Sequence, residues 1–266
     1  MSGISSPGNA RIKAIRALRS RKSRDETGLF WIEGLKAVGE AVEMDAPVQT
    51  LVVAHDLVKG QFALDLLDEV RDRHVDLLEV TPAVFESLAG REHPQGIGGV
   101  VHQRWTALDA IDFAAGLCWV ALDRVADPGN LGTIMRTADA VGAAGLILLG
   151  DTTDPHDPAA ARAAMGALFN LRLVRASNVE FLAWLPSASV HLVGSSDRGA
   201  VHYRNASYPR PRILLMGSER HGLPDDLLHA CETVVRLPML GRSDSLNLAV
   251  ATGILLYEIL AHEVAE

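Results

Sequence analysis

The sequence predicts an α/β protein of two domains, the second of them built on a mainly parallel sheet. Three observations carry that prediction. Strand-like and helix-like patterns alternate along the whole chain, helices fall between most of the second-half strands, and 266 residues with 48% hydrophobic content exceed one typical domain. Strands separated by helices form a mainly parallel sheet that the helices cover on both faces.

The first element is a basic stretch, RIKAIRALRSRKSR at residues 11 to 24, which holds Arg11, Lys13, Arg16, Arg19, Arg21, Lys22 and Arg24 and no acid. The chain as a whole carries a net charge of -8, so its charges are segregated, and a block of this kind is an electrostatic footprint for nucleic-acid phosphate. The competing reading is a docked helix with solvated charges, because Ile12, Ile15 and Leu18 fall at helical spacing. Strands are then predicted at 29–32, 48–54, 75–80 and 97–101, separated by helices at 34–44, 60–73 and 82–89. This is a small α/β domain, and the stretches 90–96 and 109–112 flank its boundary.

In the second half the strands are predicted at 117–122, 145–150, 171–174, 189–194, 212–217 and 233–239, with helices between most of them. Ligands of such sheets gather beyond the carboxyl ends of the strands, and three strand ends carry unusual residues. The first, LDRVADPGNLGTIMRTA from 122, is a strand, a Pro-Gly turn and a helix opening at Asn130, with Asn130 as a candidate cap and Arg136 spaced to pair with Asp139. Next comes LLMGSERHGLP at 214–224, where two glycines bracket Glu219. The last, LPMLGRSDSLNLAVATGILLYEIL at 237–260, puts a polar break ahead of a very apolar helix; Ser243, Asp244 or Ser245 are candidate caps for it, and Asn247 can satisfy nearby backbone groups.

Several classes are excluded or disfavoured. The apolar stretch Leu246 to Leu260 is interrupted by Asn247, Thr252, Gly253 and Glu258 and is shorter than the roughly 20 residues a membrane span needs. No apolar run follows the basic N-terminal residues, so a cytoplasmic location is expected. Cys118 and Cys231 lack metal-ligand spacing and read as buried free thiols, and no metal site is expected. No GxGxxG follows the early strands, which disfavours a dinucleotide site.

Taken together, NLGTIMRTA, MGSERHGL and LPMLGRSDSLNLAVATGILLYE resemble, in order and spacing, the three motifs of the SpoU/TrmH family of RNA 2'-O-ribose methyltransferases. The likeness runs from about Leu117 to Glu258 and includes RAAMGALFNL at 162–171. The first half, through GLFWIEGLKAVGEA and HPQGIGGVV, is similar to the substrate-binding domain often fused to these enzymes. Two departures stand out: members often have Asn-Pro-Gln-Asn where this chain has Asp127-Pro128-Gly129-Asn130, and a serine where it has Ala164. With the basic stretch taken as an arm at 1–24, the resemblance implies an RNA-binding domain at 25–104 with a fold like that of a small ribosomal protein, and a methyltransferase domain at 105–266 with a deep trefoil knot.

The same resemblance implies S-adenosylmethionine as methyl donor, held by Gly217, Leu237 and Leu246 together with Met216, Gly222 and Met239. It makes Arg136, Asn130, Glu219, Ser245 and Asn247 the catalytic set. Arg136 would hold RNA phosphate and stabilise the developing alkoxide rather than act as base, since a guanidinium deprotonates only above about pH 12. The final helix would pack a homodimer partner. Ribosomal RNA is expected as substrate ahead of tRNA, with an inactive RNA-binding homologue and a base-methylating relative as the alternatives.

Overall fold

The apolar spacing within the basic stretch decides its structure. In the computed structural model, which describes residues 3 to 264 except His74 and Arg91, Ile12, Ile15 and Leu18 are buried in a core shared with Trp31, Val84, Phe85 and Leu88. Helix α1 (Ala10–Ala17) is capped by the Asn9 side chain, and α2 (Arg21–Thr27) follows it. Six of the seven basic residues therefore sit on folded helices, with Arg19 in the turn between them. Burying three such aliphatic side chains contributes on the order of 5 kcal/mol, enough to dock a helix as short as α1.

The chain divides into two units, Met1–Gln103 with Asp154–Phe169, and Arg104–Thr153 with Asn170–Glu266. After α2 the first unit continues through β1 (Leu29–Glu33), α3 (Leu35–Glu43), β2 (Val48–Val53), α4 (Gln61–Asp72), β3 (Asp76–Glu79), α5 (Pro82–Leu88) and β4 (Ile97–His102). Its four strands are ordered β1-β4-β2-β3, with β4 antiparallel to both neighbours and β2 parallel to β3. All four lie where the apolar pattern puts them.

The second unit opens with β5 (Trp119–Asp123), α6 (Pro128–Ala140) and β6 (Gly145–Leu149), and every residue of both strands is buried. The chain then enters the segment 154–169, which carries α7 (Pro158–Ala164) and α8 (Ala167–Asn170). The sequence reading puts this segment with the methyltransferase half, whereas its contacts are with the first unit. Phe30 packs on His156 and Phe169, α7 packs on β1, and Asp154 pairs with Arg24.

The chain returns as β7 (Arg172–Ala176), α9 (Asn178–Ala188), β8 (His191–Ser195), the two-residue β9 (Val201–His202), β10 (Arg212–Met216), α10 (Asp225–His229), β11 (Thr233–Arg236) and α11 (Leu248–Val264). Seven strands, ordered β7-β6-β5-β10-β8-β11-β9, form one sheet that is parallel at every pairing. Helix α11 packs against α6 and β10. Strand β11 stops at Arg236, three residues short of its predicted end, because Leu237 to Met239 leave the sheet to line a cleft.

Candidate active site

The three motifs meet beyond the carboxyl ends of β5, β10 and β11. The first motif starts its helix earlier than predicted. Asp127 is the cap of α6, its Oδ1 accepting the Asn130 backbone N–H at 2.7 Å, and Asn130 lies inside the first turn. With capping done by Asp127, the Asn130 side chain is available for other bonds. It donates from Nδ2 to Glu219 Oε1 at 3.0 Å, and its Oδ1 accepts from Asn247 Nδ2 at 2.9 Å. Asn247, rather than Ser243, Asp244 or Ser245, caps α11, since its Oδ1 accepts the N–H groups of Ala249 at 2.9 Å and Val250 at 3.3 Å. Residues of all three motifs are thus joined in one chain of side-chain hydrogen bonds.

Glu219 anchors that chain. Its carboxylate also accepts the backbone N–H of Ala126 at 3.2 Å and of Asp127 at 3.4 Å. Partial burial pushes its pKa up, but the bonds from Asn130 and from backbone N–H groups outweigh that and leave it below the usual carboxylate value. The loop that presents it is a tight antiparallel turn, with Ser218 and Gly222 exchanging backbone bonds at 3.2 and 3.0 Å. Gly217 makes that closure sterically feasible, because a Cβ there would fall 2.1 Å from the Gly222 carbonyl carbon. Gly222 itself has φ +63°, which favours glycine.

Beside this turn lies a cleft of about 800 Å³, within the size range of ligand pockets. Its apolar wall is Met216, Leu237, Pro238, Met239, Leu246 and Leu248, with Gly217 and Gly222 at the turn. Its polar wall is Ser195 to Arg198, His202, Glu219 to His221, Arg236, Asp244 and Ser245. All six residues expected to hold the methyl donor line this one space, as do Glu219 and Ser245. Arg136 stands further along α6 with its side chain exposed, outside the lining residues. Sequence reasoning missed the basic side chains Arg198, His202, Arg220, His221 and Arg236. Arg220 and His221 lie inside the second motif, but their position against an apolar pocket becomes visible only in three dimensions.

The seven basic residues of the N-terminal stretch divide by environment. Arg24 is 1% exposed, donates to Asp154 at 2.6 Å and to the carbonyls of Leu18 and Arg19, and is closed to any RNA phosphate. Arg11 pairs with Asp76, Arg16 bonds Ser87 and Arg19 bonds the carbonyls that end α5. Arg21 and Lys22 have Asp25 and Glu26 as helical partners, and Lys13 is exposed. The contiguous footprint read from the sequence is therefore reduced by burial and internal pairing.

Both cysteines are free thiols, each pushed up to about 12, chiefly by burial. No group of side chains able to hold a metal occurs among the described residues, and no described helix is long and apolar enough to cross a membrane.

Residues 118–257 match the model of the SpoU rRNA methylase family. The chain belongs to that family. Residues 9–99 match an MRM3-like substrate-binding domain. Among curated proteins, a 23S rRNA (uridine(2479)-2'-O)-methyltransferase of Streptomyces viridochromogenes is 32% identical over 97% of this chain and 91% of its own. The 23S rRNA (guanosine(2553)-2'-O)-methyltransferase RlmP of Bacillus subtilis is 29% identical over 97% and 99%. Among solved structures, an AdoMet-bound rRNA methyltransferase from Sinorhizobium meliloti superposes with a TM-score of 0.90 at 41% identity, covering 98% of both chains. This SpoU-family chain thus shares both of its parts with its relatives.

Proposed function

We propose that the protein transfers a methyl group from S-adenosylmethionine to a ribose 2'-hydroxyl of large-subunit ribosomal RNA. The observation that carries this reading is the cleft whose wall joins all six expected donor-binding positions to Glu219 and Ser245. Its composition fits the donor: apolar side chains suit an adenine, the arginines suit the methionyl carboxylate, and Gly217 brings bare backbone to the wall. Two curated relatives named for 23S rRNA favour that substrate over tRNA.

S-adenosylmethionine supplies a methyl group on a sulfonium, with a neutral thioether as leaving group. The protein has to prepare a poor nucleophile. As the ribose oxygen gains the methyl it gives up its proton to solvent water, and charge develops on oxygen before the bond is complete. Arg136, a permanent cation, is assigned to the neighbouring phosphate and to that developing charge. Asn130, Asn247 and Ser245 position the ribose, and Glu219 fixes Asn130 through the 3.0 Å bond already described. Lys13, Arg21 and Lys22 add sequence-independent attraction for phosphate.

We extend the proposal to a knotted second unit and a homodimer. The return of α11 from the far side of β11 to α6 supports the knot. For the dimer, Val250, Tyr257 and Val264 recur every seventh residue of α11 and are 51%, 54% and 76% exposed, one apolar stripe suited to a second copy. The test of the reaction is incubation with methyl-labelled S-adenosylmethionine and separated rRNA and tRNA, followed by nuclease digestion and mass analysis. A 2'-O-methylribose in the 23S fraction is expected. Label on a base, label in tRNA alone, or donor binding without transfer would overturn the reading.

A further inference from the structure

A second cleft, of about 320 Å³, lies wholly within the first unit and includes Arg19, Trp31, Glu33, Gly90 and Arg162 in its lining. It runs beside β1, an edge strand of its sheet. Trp31 and Glu33 are two residues apart on β1 and so share one face of the strand. They are only 5% and 6% exposed, yet Trp31 Nε1 and Glu33 Oε1 have no hydrogen-bond partner among the described residues. The other carboxylate oxygen of Glu33 accepts the Gly90 N–H at 2.7 Å. A buried donor and a buried acceptor left unpaired on residues that line one cleft are costly to a fold, and such groups call for a function.

The cationic part of the lining is equally specific. Arg19 is held at the cleft by the carbonyls of Ser87, Leu88 and Ala89. Arg162, on α7, lies so close to Gly90 that a Cβ there would be 2.5 Å from its Nη1. Asp157, also in the lining, is engaged with Arg24 at 3.5 Å and with the first turn of α7. The cleft therefore offers one unused acceptor, one unused donor and guanidinium charge.

Resting on the RNA-methylating reading above, we propose that this cleft binds one unstacked guanine nucleotide of the substrate RNA, other than the nucleotide that is methylated. Guanine presents adjacent N–H donors on N1 and the 2-amino group, with the O6 acceptor next to them. The donors match the Glu33 carboxylate and O6 matches the Trp31 indole N–H. Adenine and cytosine put a ring-nitrogen acceptor where guanine has N1–H, and uracil flanks its single N–H with two acceptors, so each turns a lone pair toward the carboxylate. Phosphate falls to Arg162. Reading single-stranded bases by their Watson–Crick edges is the usual route to RNA specificity.

The test uses the full-length protein and fluorescence anisotropy with labelled oligouridylate carrying one central guanosine, adenosine or inosine, with GMP as competitor. The guanosine oligomer is expected to bind about ten-fold more tightly than the adenosine one, with inosine, which lacks the 2-amino group, between them. Glu33→Gln should bring guanosine and adenosine within about two-fold of each other at unchanged S-adenosylmethionine affinity. Arg162→Ala should weaken all three oligomers alike and lower the salt slope by about 0.7. Competition by GMP supports a site that takes a free nucleotide as well; a guanosine preference without GMP competition supports one that reads the base within RNA. Equal affinity of the wild-type protein for the guanosine and adenosine oligomers overturns the proposal, and that comparison holds whether or not a variant folds. Binding and methylation of rRNA without guanosine preference defeats this inference alone, whereas absence of both RNA binding and transfer defeats the reading on which it rests.

Discussion

Asn130 can bridge Glu219 and Asn247 because Asp127 has already capped α6. Asn247 does more than one thing itself, capping α11 through Oδ1 while donating to Asn130 through Nδ2. Asn247→Ala should cost about 1 kcal/mol of stability as a lost cap. Its effect on turnover should exceed that, with kcat falling by about a hundred-fold as for a lost transition-state contact. Stability by urea titration and turnover with saturating RNA check the two halves separately; near-normal kcat would reduce Asn247 to a cap. Arg136→Ala is expected to abolish transfer while donor affinity by calorimetry stays within about three-fold, because the guanidinium acts on the RNA side. A matching loss of donor binding would contradict its assigned place.

At the scale of elements, the Ser218 to Gly222 turn is the most tightly constrained part of the site. Gly217→Ala would drive a methyl into the Gly222 backbone, opening the turn and displacing Glu219. Donor affinity and activity should fall together by at least about ten-fold, and crystallography of the variant would show the displaced turn. The α11 stripe gives a separate test. Tyr257→Glu, at a position 54% exposed, should turn a dimer into a monomer by light scattering, since a charge cannot be buried there without a partner. The strands of both sheets were legible from their apolar residues except the two-residue β9 (Val201–His202), which is too short to leave a pattern in the sequence. The segment 154–169 was not: its alanines signal close packing without naming the surface they pack on, and that surface, at Phe30 and β1, is more than a hundred residues earlier in sequence. Motif resemblance singled out Asn130, Glu219 and Asn247, side chains that the structure joins by hydrogen bonds. Their bonding order was hidden, because it depends on which side chain takes each helix cap.

Across the molecule, charge that looks surplus in sequence is partly structural. Arg24 and Asp154 form a buried pair whose side chains are each 2% exposed. Removing one partner, as in Arg24→Met, should cost about 3–5 kcal/mol in urea unfolding, and Arg24→Met with Asp154→Leu should recover much of it. Burial pushes the Asp154 carboxyl upward, but His156 and Arg24 prevail and hold it below its ordinary value. A carboxyl depressed on folding contributes stability above about pH 4 and loses it as pH falls further. The urea midpoints of the wild type and of Asp154→Asn should therefore converge on acidification; a gap that stays constant down to about pH 2 would show that Asp154 is not the titrating group. The visit of residues 154–169 to the first unit also sets an order of events during synthesis. The ribosome makes α1 to β4 first, yet Phe30 and Arg24 receive their partners only after β5, α6 and β6 have been made. The N-terminal part cannot finish folding on its own schedule, and a fragment ending at Gln103 would emerge with Arg24 lacking its carboxylate partner and the Phe30 ring uncovered. One proteolytic cut between Gln103 and Arg104 would sever residues 1–103 from the rest of the chain, leaving them held only by the noncovalent packing of residues 154–169.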